Sequence, residues 1–195
     1  MDSKENKNMI LEERITRLED IESIRYLQAK YQRCLDSRDF DGLSECFDVN
    51  AIATYDSGKM SYNGKDNIIN FLMRVMKLSR PSSHLIHGGE IDVLTTTQAK
   101  AKWILEDQLT AQEAFVSIHG SAIYNIEYIK KDEKWLISKI SYTRFYQYVE
   151  RRSIFNLFSL SKKDIFKELK RKSYDELGDY GKKYRRKRFA RKKKQ

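Results

Sequence analysis

Only three histidines, two cysteines and one proline occur among the 195 residues of this chain, and no long apolar run interrupts it. Two cysteines cannot build a disulfide framework. Cys34 and Cys46 make no CxxC pair either, and each falls in an apolar helical pattern, so both are expected as buried thiols. His84 and His87 stand three residues apart in "SSHLIHGGEID". On a strand that spacing turns them to opposite sides, and no third ligand stands at a telling distance, so no metal site is expected. The apolar stretches fall well short of the roughly 20 residues of a membrane span. The opening "MDSKENKNMILEER" holds no apolar run that could act as a signal peptide, which points to a cytoplasmic protein. No internal repeat is visible.

Charge is abundant and unevenly placed. The net charge of +10 divides into 18 Lys and Arg against 5 Asp and Glu in residues 151–195, and 20 against 23 in residues 1–150. The first part is therefore nearly neutral, and the basic character belongs to the tail. Aromatics make up 12% of the chain, with twelve tyrosines, ample for a core. The length suits one domain plus an appendage: residues 1–150, then a basic extension over 151–195. The extension opens with the helical pattern "SKKDIFKELKRKSYDEL". It ends in "KKYRRKRFARKKKQ", which has too few apolar residues for a core and is expected to be disordered alone.

Within residues 1–150 the texture changes at Pro81. Before it, Ile10, Ile15, Leu18, Ile21, Ile24, Leu27, Tyr31 and Leu35 recur at three, four and five, as on an amphipathic helix from Met9 to about Leu35. Asp39 can cap a short second helix, "FDGLSECF". "AIATYD" reads as a strand and "SGKM" as a hairpin turn. A turn at Asn63 and Gly64 precedes a third helix carrying Ile68, Ile69, Leu72 and Val75. After Pro81, four runs rich in β-branched and aromatic residues (83–94, 99–110, 114–130 and 134–148) predict an antiparallel meander. Helices first and a sheet second is an α+β order.

Strand parity sorts the polar residues of the meander. In "KWILEDQL", Trp103, Leu105, Asp107 and Leu109 share the apolar face, and Lys102, Glu106 and Gln108 the other. Asp107 is thus expected inside, where a carboxylate needs a partner. In the last strand Leu136, Ile140, Tyr142, Arg144 and Tyr146 fall on one side, which aims Arg144 at the same interior. A structural ion pair between Arg144 and Asp107 satisfies both. His119 precedes Gly120, where glycine suggests a bulge or the close approach of a ligand. On the first helix Tyr31 lies within the apolar arc and Asp36 just outside its edge. Periodicity leaves Asp36 and His84 open.

The segments "KYQRCLDSRDFDGLSECF", "SHLIHGGEI", "KWILEDQL" and "GSAIYNIEYIKKDEKWLISKISYTRFY" resemble the successive landmarks of SnoaL-like proteins, members of the nuclear-transport-factor-2-like superfamily. The similarity covers about residues 10–150, is nearest to bile-acid 7α-dehydratase and reaches more distantly to scytalone dehydratase. It implies a cone-shaped, strongly curved, mostly antiparallel sheet closed by N-terminal helices, with the ligand inside and no cofactor. It also implies site residues. Tyr31 and Asp36 match the family's tyrosine and aspartate on the first helix, His84 its catalytic histidine, Asp107 the carboxylate that supports the histidine, and Arg144 an arginine on the last strand.

The activity so implied is elimination of water from a hydroxyl near a carbonyl, or isomerisation, on a hydrophobic, ring-containing hydroxy-carbonyl compound of steroid or polyketide type. His84, oriented by Asp107, removes the acidic proton, while Tyr31 and Asp36 serve the two oxygens in an order the sequence leaves open. Tyr55, Phe71, Trp103, His119, Tyr124 and Tyr146 are the candidate substrate-binding residues. A homo-dimer or homo-trimer is expected, formed through outward residues of 114–130 that include Tyr128 or Phe115 according to register. Two other classes compete: a cone that binds or interacts without chemistry, and an oligomeric platform for nucleic acid. Residues 182–195, with ten basic residues among fourteen, suit nucleic acid or an anionic membrane surface.

Overall fold

The computed structural model describes residues 10–55 and 58–151. The expected basic extension, Arg151 apart, lies outside the described residues, and with it the stretch 182–195 expected to bind polyanions. The order is helices α1 (Leu11–Ser37) and α2 (Phe40–Ser44), strands β1 (Phe47–Tyr55) and β2 (Met60–Asn63), helix α3 (Lys65–Val75), then β3 (Ser82–Val93), β4 (Gln98–Ala111), β5 (Val116–Lys131) and β6 (Lys134–Arg151). This is the expected α+β succession.

α1 stops because Arg38 turns into the left-handed region at φ 63°. The Asp39 N–H then donates back to the Cys34 carbonyl at 3.0 Å. Asp39 caps α2, its carboxylate accepting the Gly42 N–H at 2.9 Å. A Cβ on Gly42 would lie 2.4 Å from that carboxylate, so the tight junction between the two helices requires glycine there.

The six strands form one sheet in the order β2-β1-β6-β5-β4-β3. β3 to β6 are the expected meander. β1 lies against β6 in parallel, a pairing with no signature in local pattern. One face of the sheet and the helices bury a core that includes Ile24, Leu43, Ile68, Leu105, Ile126, Ile137 and Ile140, all at 1% exposure or less. Each such side chain contributes about 1.5–3 kcal/mol by leaving water.

Two expectations about burial fail, each for a visible reason. Strand β6 carries register shifts opposite Glu127/Tyr128 and Ser121/Ala122. The extra residues, Ser138 and Phe145, reverse the alternation where they occur. Ile137, and not Leu136, therefore joins Ile140 in the core, and Tyr146 turns to the face opposite Arg144. In α1, Ile10, Ile15 and Leu18 are exposed, although they belong to the apolar repeat. Burial begins at Asp20 and Ile24. Asp20 is held there by the Trp135 indole N–H at 2.8 Å and Lys130 Nζ at 3.0 Å. An apolar stripe records which face a helix could bury, not where a partner stops. Among the described residues, no helix is long and apolar enough to cross a membrane.

Candidate active site

The last turn of α1 and the first residues of β3 meet around one carboxylate. Asp36 Oδ1 lies 2.7 Å from His84 Nδ1 and accepts the Ser82 hydroxyl at 2.7 Å. Its Oδ2 accepts the backbone N–H of His84 at 2.7 Å. Ser82 and His84 are two apart on one strand, so both side chains face the helix. Burial alone would push the Asp36 carboxyl up. The hydrogen bond and charge of His84, with the bonds from Ser82 and the His84 backbone, outweigh it and hold Asp36 below the usual carboxylate range. As Asp36 Oδ1 can only accept, the neutral imidazole carries its proton on Nδ1 and keeps its Nε2 lone pair free.

Arg38 locks this corner. Its Nη1 donates to the carbonyls of Leu35 and Asp36 and to Ser82 Oγ at 2.8–3.0 Å, and its Nη2 bonds the Arg80 carbonyl. One guanidinium thus ties the end of α1, with its unpaired carbonyls, to the start of β3.

Asp107 sits directly across from His84 in the β3–β4 pairing, on the same inner face. Its carboxylate nevertheless turns to Arg144, with two bonds of 2.5 and 2.6 Å. The expected support of His84 by Asp107 is therefore corrected: the carboxylate on His84 is Asp36. The two-pronged match of guanidinium to carboxylate claims Asp107, and Gly120 makes room for it. A Cβ at Gly120 would stand 2.6 Å from Arg144 Nη1 and 3.0 Å from Asp107 Oδ1. The guanidinium also lies 4.9 Å over the Tyr142 ring.

Next to this corner the interior is aromatic. Tyr31 is 1% exposed and packs edge-on against Phe47. Burial raises it well above the ordinary tyrosine value, and the neighbouring Tyr124 and Tyr55 hydroxyls add in the same direction. Tyr55 and Tyr124 are themselves raised, first by burial. These phenols stay protonated near neutral pH and offer O–H donors. Tyr55 stacks on Phe71 at 5.1 Å. Trp103 is buried beneath Gly89, whose Cβ would fall 2.3 Å from the indole ring. Tyr55, Phe71, Trp103 and Tyr124 thus all lie inside.

His119 and Tyr146 do not. Because Gly120 faces Arg144, His119 faces the other way, stacked on Tyr148 at 5.1 Å. Tyr146 continues that outer row and is 56% exposed. Neither reaches the interior, which corrects both as substrate-binding candidates. Of the two residues considered for an interface, Tyr128 is buried on the inner face and Phe115 is exposed. Three surface depressions among the described residues, of about 1050, 710 and 360 Å³, lie elsewhere, and none is lined by His84, Asp36 or Asp107.

The SnoaL-like domain matches residues 16–141, a span that includes most of α1, the meander as far as Ser141 and the dyad of Asp36 and His84. The chain belongs to the SnoaL-like domain family. Solved structures agree in shape. A candidate scytalone dehydratase from Novosphingobium aromaticivorans DSM 12444 shares 17% identity over 68% of this chain and 89% of its own, with a TM-score of 0.64. The hexachlorocyclohexane dehydrochlorinase LinA-type3 from Novosphingobium barchaimii LL02 shares 19% over 70% and 93%, also at 0.64. An NTF2-like protein of unknown function from Pseudomonas putida KT2440 shares 15% over 62% and 82%, at 0.53. At these identities the likeness is one of fold.

Sequence reasoning missed two residues that hold the Asp36 corner in place, Ser82 and Arg38. The i, i+2 spacing of Ser82 and His84 was the available signal for the first. For Arg38 there was none, because its acceptors are mostly backbone carbonyls.

Proposed function

We propose that this SnoaL-like protein is a cofactor-independent lyase or isomerase that abstracts a proton next to a carbonyl, most simply in dehydrating a hydrophobic, ring-containing hydroxy-carbonyl compound. The observation that carries the reading is the dyad: an inward histidine with Nδ1 fixed at 2.7 Å from a carboxylate that three donors hold in place. That is the arrangement a general base needs. His84 Nε2 takes the acidic C–H proton, and the bonding pair moves to the carbonyl oxygen as an enolate. Protonated Tyr31, with Tyr124 and Tyr55 beside it, supplies hydroxyl donors to that oxygen in a setting poor in water. Collapse of the enolate expels the β-hydroxyl, which leaves as water with the proton returned from His84. Asp36 stabilises the imidazolium in between, so the polarising role passes to Tyr31. Asp107 and Arg144 position the wall next to the dyad, and Tyr55, Phe71, Trp103 and Tyr124 provide the apolar surroundings for a ring. The similar fold of a candidate scytalone dehydratase and of a dehydrochlorinase supports an elimination over other chemistries. The likeness to bile-acid 7α-dehydratase, a cytoplasmic location and assembly as a homo-dimer or homo-trimer belong to the same proposal.

The experiment is a panel of β-hydroxy ketones with steroid-like and polyketide-like rings, followed by the absorbance of the conjugated enone. Turnover by the protein and its loss in His84→Ala are expected. An active His84→Ala variant, or no turnover across the panel, would overturn the reading.

The segregation of charge favours a second role that is compatible with the first. Residues 182–195, with their ten basic residues, bind single-stranded nucleic acid through its phosphates without reading sequence. Salt-sensitive binding of random RNA, lost when 182–195 are deleted, is expected; no binding at low salt refutes it, and binding of anionic vesicles alone reassigns the tail to a membrane surface.

A further inference from the structure

A directional chain of buried hydrogen bonds runs beside the dyad and stops at a donor with no acceptor among the described residues. It begins at Trp103, whose indole N–H donates to Tyr128 Oη at 3.1 Å. Tyr128 Oη donates to Gln28 Oε1 at 2.9 Å, and Gln28 Nε2 donates to Gln32 Oε1 at 3.2 Å. An indole nitrogen can only donate. Tyr128 must therefore accept from it and pass its own proton on, which fixes the Gln28 amide with its oxygen towards Tyr128. The Gln28 NH2 group is then the end that meets Gln32, and Gln32 must answer with its oxygen. This orientation gives the buried Tyr128 hydroxyl an acceptor, which flipped amides would not. The Gln32 NH2 group is the terminus, and it is buried without a partner among the described residues, in a side chain whose residue is only 7% exposed.

Such a donor costs free energy unless something accepts from it, and its place in the fold says what. Gln28, Gln32 and Asp36 follow one another at four-residue intervals along α1, so their side chains form a single row. At one end of the row Asp36 meets Ser82 and His84 at the start of β3. At the other, Gln28 joins Tyr128 and Trp103, and Trp103 underlies Gly89 near the end of the same strand. Gln32 lies between, one helical turn from the carboxylate that holds His84.

We infer that the Gln32 amide N–H binds a neutral oxygen acceptor, a carbonyl or ether oxygen, on a ring-containing ligand seated next to His84. The chain from Trp103 pre-orients this donor, so a ligand gains the bond without the cost of ordering the side chain. The inference rests on the proposed function only for the view that the interior admits a ligand; it does not require that the ligand react.

The test uses a matched pair of probes, 1-tetralone and tetralin, which share a fused ring skeleton and differ in the carbonyl oxygen. In the full chain labelled with 15N, the side-chain amide signal of Gln32, assigned by its absence in Gln32→Met, is expected to move on adding tetralone and not on adding tetralin. Tetralone should bind Gln32→Met about ten-fold more weakly than wild type, the scale of one buried hydrogen bond, with tetralin unaffected. A Gln32 signal indifferent to tetralone at its solubility limit overturns the inference, and so does equal weakening of both probes. The wild-type titration stands if the variant does not fold. Because the readout is binding, a His84→Ala protein that still shows the tetralone shift separates this inference from the catalytic one.

Discussion

Replacing Asp36 by asparagine changes one atom and, by the geometry of the dyad, inverts a histidine. Asparagine can place its oxygen at either carboxylate position. With oxygen at Oδ1 it keeps Ser82 and His84 Nδ1 as donors but sets its NH2 against the backbone N–H of His84, two donors in conflict. With oxygen at Oδ2 it accepts that N–H and offers its NH2 to Ser82 Oγ and to His84 Nδ1, which can accept if the ring proton moves to Nε2. The second arrangement leaves only the hydroxyl proton of half-buried Ser82 without its former acceptor and is the one expected. The base nitrogen is then capped by a proton, and turnover falls by about 10²–10⁴-fold. Stability falls too. Three charge-assisted bonds, about 1.5–3 kcal/mol each, become neutral ones of about 0.5–1.5. With the Asp36 side chain 25% exposed, the lower ends apply and the net loss is about 3 kcal/mol, a drop in Tm of about 6–12 °C. The difference depends on pH in a fixed sense. The folded pKa of Asp36 is lowered, so its contribution is complete above the unfolded value of about 3.9 and is lost as pH falls through the lower folded value. The two proteins should therefore differ fully at pH 6–8 and converge in acid. Ring 15N shifts of His84 report the tautomer and thermal melts the stability. An Asp36→Asn variant whose His84 keeps its proton on Nδ1, or which melts with wild type at neutral pH, refutes the reasoning.

Other perturbations test the supporting structure. Gly89→Ala drives a methyl into the rigid Trp103 ring and should cost about 1–3 kcal/mol, with a red shift of tryptophan emission as the indole loses its buried bond to Tyr128. Asp107→Leu strands the Arg144 guanidinium, whose side chain is only 20% exposed; a loss of about 3 kcal/mol is expected, largely restored by adding Arg144→Met. A double-mutant cycle in chemical denaturation reads this coupling, and additive losses would show that the pair holds nothing together. His119→Ala removes an outer-face ring stack and should cost under about 1.5 kcal/mol with ketone binding unchanged, whereas a loss of binding would return His119 to the site.

Local pattern alone determined a good part of this protein. The order of helices and meander, the cap at Asp39 and the break near Pro81 follow from periodicity and turn chemistry, because these depend on neighbours a few residues away. Strand alternation was enough to send Asp107 and Arg144 inward, and it held until a bulge intervened. Past Phe145 it sent Tyr146 the wrong way, since an inserted residue reverses parity without leaving a mark in composition. The apolar repeat likewise could not say that α1 outruns its packing before Asp20. What only the tertiary structure decided is which partner each inward group chose. Asp36 and His84 are 48 positions apart, and Asp107 and Arg144 are 37. Two carboxylates were within plausible reach of one histidine. Guanidinium geometry, the space above Gly120 and the anchoring of α1 by Arg38 settled the choice, through contacts between residues so far apart in sequence that periodicity carries no information on them.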